Sequence, residues 1–75
     1  MITLPIIIGL RDWADQITLD LNSYGNLPRL DDETKWQEWA VSLCAISGIT
    51  SKNPPDALSF SDWREWASRF AQIMV

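Results

Sequence analysis

The 75-residue sequence contains no histidine and only one cysteine, Cys44. A disulfide within the chain is therefore excluded, and a structural zinc site lacks the ligands that it needs. Histidine-based triads are excluded as well, and the three glycines are isolated, so no phosphate-binding loop is present. We therefore expect no cofactor, no bound metal ion and no enzymatic activity. Cys44 itself is interpreted as a small buried residue.

Positive charge is also scarce, with six basic residues against ten acidic residues and a net charge of −4. The basic residues are scattered along the chain, whereas nucleic-acid binding requires a cluster of them. We therefore expect no nucleic-acid partner. Asp31, Asp32 and Glu33 are adjacent and could hold a magnesium ion, but their position at a predicted helix start favours a capping role.

The length limits the protein to one small domain over residues 1–75. Area scaling predicts about 4,700 Å² of folded surface against about 12,500 Å² unfolded, so about 60% can be buried. Such a core is marginal by itself, and small chains use disulfides, metals or partners to supplement it. With the first two excluded, a partner protein is the expected supplement.

The N-terminal residues 1–9 form an apolar segment, MITLPIIIG, which we call the arm. It is too short to span a bilayer, and Pro5 and the β-branched Ile6, Ile7 and Ile8 favour extended backbone. The arm could fold over its own core, dock on another subunit or anchor on a membrane surface. We expect docking on another subunit, because the arm together with Leu10 directly after it has six aliphatic side chains, which exceed the room in a small core. These side chains are those of Ile2, Leu4, Ile6, Ile7, Ile8 and Leu10.

Apolar residues at helical spacing predict an all-α fold with three short helices over residues 10–75. The first helix is expected from about Leu10 to Leu21. The second begins after Leu30 and ends at Gly48. The third is expected to start near Ser59, with Leu58 packing on Trp63 as a hydrophobic staple, and to continue to the end of the chain.

Five tryptophans occur in this short chain, and four of them lie in an internal repeat. Residues 28–48 match residues 55–75, and both stretches contain a proline followed by the pattern Trp-x-Glu-Trp-Ala. The first helix has a weaker match, with Asp12-Trp13 aligned to Asp62-Trp63. Because a tryptophan at i and another at i+3 share one helix face, the repeat predicts Trp36, Trp39, Trp63 and Trp66 on facing stripes.

Short acidic chains with an apolar N-terminus and helices of this Asp-Trp-x-x-Trp-Ala type resemble small virion structural proteins of tailed bacteriophages. The resemblance covers residues 10–15, 36–40 and 60–70. It implies a virion location and a role as a capsid decoration, fibre base or head–tail joining piece. The implied partners are other capsid or connector subunits, with the chain itself a homo-oligomer in a symmetric assembly and no membrane contact.

The sequence therefore predicts a structural protein that acts by protein–protein binding. The alternative is a regulatory or inhibitor module that binds one host protein through a tryptophan-rich face. The candidate partner-binding residues are the aliphatic residues of the arm and the five tryptophans: Ile2, Leu4, Ile6, Ile7, Ile8, Trp13, Trp36, Trp39, Trp63 and Trp66.

Overall fold

The computed structural model describes residues 8–25 and 27–74, so residues 1–7 of the predicted arm lie outside the described residues. Within these residues, four α-helices follow one another: α1 (Leu10–Asp20), α2 (Trp36–Cys44), α3 (Ser47–Thr50) and α4 (Trp63–Met74). Three 3₁₀ turns cover Asn22–Tyr24, Glu33–Lys35 and Ala57–Ser59. The all-α prediction is confirmed, and none of the helices in these stretches has the length and apolar character of a membrane span.

The predicted first helix is found as α1, which starts at Leu10 and has Leu21 as its C-terminal cap residue. Its apolar stripe is buried as the 3.6-residue period requires. On the polar side, the Thr18 hydroxyl donates to the Ala14 carbonyl at 2.9 Å. The first helix is thus correctly predicted by the periodicity of its apolar residues.

The predicted end of the second helix at Gly48 is wrong, because α2 ends at Cys44 and Gly48 lies inside α3. A Cβ atom on residue 48 would lie 2.7 Å from Cδ1 of Tyr24, so any larger residue there would require the Tyr24 ring to move. At the C-terminus of α2, the Cys44 carbonyl accepts a hydrogen bond from the Thr50 hydroxyl at 2.6 Å. The glycine at residue 48 therefore reflects close packing against the Tyr24 ring and not the end of a helix.

The predicted start of the last helix near Ser59 is also wrong, because α4 begins at Trp63. The Asp62 side chain accepts the backbone N–H of Arg64 at 3.2 Å, and aspartate is a strong helix cap. Ser59 belongs to the preceding 3₁₀ turn. Leu58 is 65% exposed in that turn, and because Asp62 rather than Ser59 caps α4, it does not occupy the predicted staple position.

The core lies between α1, α2 and α4 and consists of apolar side chains, with no buried polar or charged residue among the described ones. Its largest fully buried side chains are Trp13, Trp66, Phe70, Ile17, Leu43 and Ile49. The accessible surface is 4751 Å², close to the value that the chain length predicts. The tryptophans therefore build the centre of a normally compact small domain.

Candidate functional site

Three tryptophans, one from each long helix, meet at the centre of the fold. The ring centroids of Trp13 and Trp39 are 6.0 Å apart, those of Trp13 and Trp66 5.9 Å, and those of Trp39 and Trp66 6.2 Å. All three pairs are edge-to-face, which is a favourable geometry for aromatic quadrupoles. We call these residues the tryptophan triangle.

The triangle corrects the sequence alignment of the first helix. The sequence aligns Trp13 with Trp63, but Trp13 occupies the place that Trp39 and Trp66 occupy in the other helices. A buried alanine follows each of the three, and a buried large apolar residue follows four positions after each tryptophan. The repeat therefore comprises three units, whose equivalent residues are Leu10/Trp36/Trp63, Trp13/Trp39/Trp66, Ala14/Ala40/Ala67 and Ile17/Leu43/Phe70.

The match of residues 28–48 with residues 55–75 also appears as a repeated hydrogen bond. The indole N–H of Trp39 donates to the Pro28 carbonyl at 3.1 Å, and that of Trp66 donates to the Pro55 carbonyl at 3.0 Å. A buried indole N–H needs an acceptor, and in each unit that acceptor is the carbonyl of the equivalent proline. Each helix is thereby tied to the chain segment that leads into it.

A second set of hydrogen bonds ties each long helix to the segment that leads into the next one. Arg11 of α1 donates from Nη2 to the Asp31 carbonyl at 3.0 Å, ahead of α2. Gln37 of α2 donates to the Phe60 carbonyl at 2.6 Å, ahead of α4. These two donors are the second residues of their helices. The sequence did not predict this role for either residue, because it depends on contacts between segments that are distant along the chain.

The third member of this set closes a cycle. Arg64, the second residue of α4, donates from Nη2 to the Ile8 carbonyl at 2.9 Å, just ahead of α1. Ring contacts follow the same order, since Trp36 of α2 meets Trp66 of α4 at 6.1 Å and Trp63 of α4 meets Trp13 of α1 at 6.0 Å. The three helices are therefore related to one another in a cyclic order.

The candidate partner-binding tryptophans divide into two groups. Trp13 and Trp66 have no exposed surface and Trp39 has 6%, so these three are core residues with almost no surface for a partner. Trp36 and Trp63 are half-buried at the edge of the core. Of the five candidates, these two have the larger exposed fractions.

The described end of the arm packs on its own chain. Ile8 is half-buried against the core, and its carbonyl is held by Arg64, whose guanidinium carbon also lies 4.7 Å from the centroid of the Trp63 ring. For Ile8, the expectation of docking on another subunit is therefore corrected. The other arm candidates, Ile2, Leu4, Ile6 and Ile7, lie outside the described residues.

Two large aliphatic side chains stand out on the described surface, Leu19 at 66% exposure and Leu58 at 65%. An open groove of 360 Å³ runs beside α2, lined by polar and apolar residues. Its lining is Pro28, Arg29, Leu30, Asp31, Asp32, Lys35, Glu38, Trp39 and Ser42. The groove mixes both signs of charge and holds no convergent set of reactive groups.

Two titratable groups have shifted pKa values. Hydrogen bonds from the hydroxyl and the backbone N–H of Thr34 lower the pKa of Asp32, which therefore caps a turn. Cys44 is half-buried rather than buried as the sequence predicted, and this partial burial, with a smaller contribution from the Asp56 charge, raises the pKa of its thiol to about 11. Among the described residues no group of three or more metal-ligating side chains of His, Cys, Asp or Glu comes together.

No protein-family model matches the chain, and comparisons with curated proteins and with solved structures give no significant match.

Proposed function

We propose that this protein is a structural subunit that binds other proteins in a symmetric assembly, namely the particle of a tailed bacteriophage. It acts there as a capsid decoration, a fibre base or a head–tail joining piece. Its partners are other virion proteins, and binding rather than catalysis is its activity.

The observation that supports this proposal is the attachment of the arm to the folded chain at Ile8, which we call the root of the arm. Ile8 is held against the core by the hydrogen bond from Arg64, while Gly9 next to it is exposed. The seven residues before this root include the aliphatic side chains of Ile2, Leu4, Ile6 and Ile7. Four aliphatic side chains in so short a segment exceed the room in a small core and favour a binding role, and attachment at Ile8 lowers the entropy cost of that binding.

Burial in the core argues against the alternative of an inhibitor with a tryptophan-rich binding face. Such a face requires several accessible rings, and three of the five tryptophans have little or no exposed surface. The two remaining tryptophans, Trp36 and Trp63, are themselves partly buried against the core. The main role of the tryptophans is therefore to pack the core of the fold.

The proposal is tested by mass spectrometry of purified tailed-phage particles whose genome encodes this chain. We expect the protein in the particles at a copy number set by a symmetry axis or ring. A chain that is made in infected cells but is absent from purified particles would contradict the proposal.

The arm is tested by a variant in which Ile2, Leu4, Ile6 and Ile7 are replaced by serine, with Thr3→Ser as the matched control. We expect the first variant to keep its melting temperature and to be lost from particles, because the apolar contacts are removed while the folded unit remains. The control should be incorporated normally. If the serine variant unfolds instead, the arm belongs to the core of its own chain.

A further inference from the structure

Gly9 is the last residue of the arm, and packing does not hold it in place. The residue is exposed, and a Cβ atom built on it would have no atom within 4 Å outside its two chain neighbours. Its backbone is extended, with φ of −76° and ψ of 169°. Because glycine has the widest backbone freedom of all residues, an unrestrained Gly9 would let the arm leave the fold in many directions. Gly9 is therefore a hinge unless hydrogen bonds restrain it.

Hydrogen bonds restrain the peptide groups on both sides of Gly9. The Gly9 carbonyl accepts the backbone N–H of Trp13 at 2.9 Å, within the first turn of α1. The Ile8 carbonyl belongs to the preceding peptide group and accepts from Nη2 of Arg64 at 2.9 Å. The first bond forms with the helix itself, whereas the second depends on one side chain of α4. Arg64 is thus the side chain that restrains the hinge.

The Arg64 side chain is itself held in position by its neighbours. Its guanidinium carbon lies 4.7 Å from the centroid of the Trp63 ring, an attractive cation–π distance. The Trp63 ring lies 6.0 Å from that of Trp13, which has no exposed surface. At the start of α4, the Asp62 side chain accepts the backbone N–H of Arg64 at 3.2 Å. A guanidinium held in this way loses little further freedom when it donates to the Ile8 carbonyl.

We propose that Arg64 is the positioning residue of the arm: it holds the Gly9 hinge in one conformation, so that the arm leaves the fold in one direction toward its partner. This inference rests on the proposed function and adds the side chain on which presentation of the arm depends. A segment that is already held in its bound direction loses less entropy on binding than one that is ordered on contact. Arg64 acts through Ile8 and not through contact with the partner.

A purely structural role is the competing explanation, because Arg11 makes the same kind of bond elsewhere. Arg11 is the second residue of α1 and donates from Nη2 to the Asp31 carbonyl at 3.0 Å. The two arginines differ in what they hold, since Asp31 lies between two helices and Ile8 belongs to the arm. Arg11→Met is therefore the matched control for Arg64→Met, and both substitutions keep an unbranched side chain.

The first test measures the arm directly, with a nitroxide spin label on Thr3→Cys in a Cys44→Ala background. The label broadens the indole N–H signals of the five tryptophans according to their distances from it. We expect unequal broadening when Arg64 is present and loss of these differences in Arg64→Met. Arg64→Gln, whose side chain is two bonds shorter, should show the same loss. Arg11→Met should keep the unequal pattern.

The inference is wrong if the broadening pattern is the same with and without the Arg64 guanidinium, whatever happens to the melting temperature. Gly9→Ser provides an independent check, because its Cβ atom fits the open surroundings and serine suits the N-terminal cap position. In the Arg64→Met background it should restore the unequal pattern by restricting the hinge. A lack of restoration would show that Arg64 does not act on Gly9.

The second test separates this inference from the proposed function by measuring incorporation into purified particles. Arg64→Met should lower incorporation by about three- to ten-fold, the scale of one hydrogen bond from a charged donor, with unchanged helical circular dichroism at the assay temperature. Arg11→Met should be incorporated normally. If the arm serine variant is lost but Arg64→Met is incorporated normally, only the inference is overturned. Normal incorporation of the arm serine variant overturns docking by the arm and the inference with it.

Discussion

The indole nitrogen of Trp66 lies 3.0 Å from the carbonyl oxygen of Pro55, eleven residues earlier in the chain. The same eleven-residue separation joins Trp39 to Pro28 at 3.1 Å. The prolines of the internal repeat thus have a structural role beyond interrupting helices, because each supplies the acceptor for a buried tryptophan. These two bonds make the sequence repeat a repeat of three-dimensional structure.

Replacing either of these tryptophans by phenylalanine should be costly. Trp66→Phe removes the donor to Pro55 and leaves space beside a fully buried ring, so we expect a loss of about 2–4 kcal/mol in the free energy of unfolding. Trp39→Phe should cost a similar amount. Urea unfolding measures both, with Trp36→Phe at the half-buried edge as the control. Equal losses in all three variants would contradict a special role for the proline carbonyls.

Truncation of the tryptophans should follow their burial rather than their place in the sequence motif. Replacing a fully buried tryptophan by alanine costs about 3–5 kcal/mol. Because Trp63 is only half-buried, we expect about 1–3 kcal/mol for Trp63→Ala. Trp13→Ala should cost about 3–5 kcal/mol, since its ring has no exposed surface. Thermal unfolding of the two variants decides, and a larger loss at Trp63 would contradict the packing described here.

Gly48→Ala should destabilise the protein although alanine favours helices. The new Cβ atom would meet the Tyr24 ring at 2.7 Å, so the ring must move. We expect a loss of about 1–2 kcal/mol, the scale of overpacking, measured by chemical denaturation.

The control for this prediction is the same substitution in a Tyr24→Ala background. There the ring is gone, and Gly48→Ala should be neutral or stabilising because of helix propensity. If alanine at residue 48 is equally harmful with and without Tyr24, the close approach is not the reason for the glycine.

The thiol of Cys44 should make stability depend on pH in the alkaline range. Burial raises the pKa from its ordinary value of 9.0 to about 11, so the folded state favours the protonated thiol. Its contribution is fully present below pH 9.0 and is lost as the pH rises toward 11. Unfolding free energies measured across this range should fall more steeply for the natural chain than for Cys44→Ala. Parallel curves for the two proteins would contradict the partial burial of the thiol.

Local patterns in the sequence determined the all-α class and the first helix. The apolar residues from Leu10 through Ile17 recur at helical spacing on one face, so the helix and its buried face can be predicted without knowing where the other helices lie. The repeat of Trp-x-Glu-Trp-Ala was also visible, because it consists of identical residues at a constant offset. These features depend on short-range spacing, which the linear chain contains in full.

The ends of the helices and the use of the tryptophans were decided by tertiary structure. Gly48 resembles a helix stop, but contact with Tyr24 explains the glycine, and Asp62 rather than Ser59 caps α4. The equivalence of Trp13 with Trp39 and Trp66 depends on distances between helices that lie far apart in the sequence. The hydrogen bond from Arg64 to Ile8, which closes the cycle, joins residues 56 positions apart, and such a contact forms only when the whole chain packs around one centre.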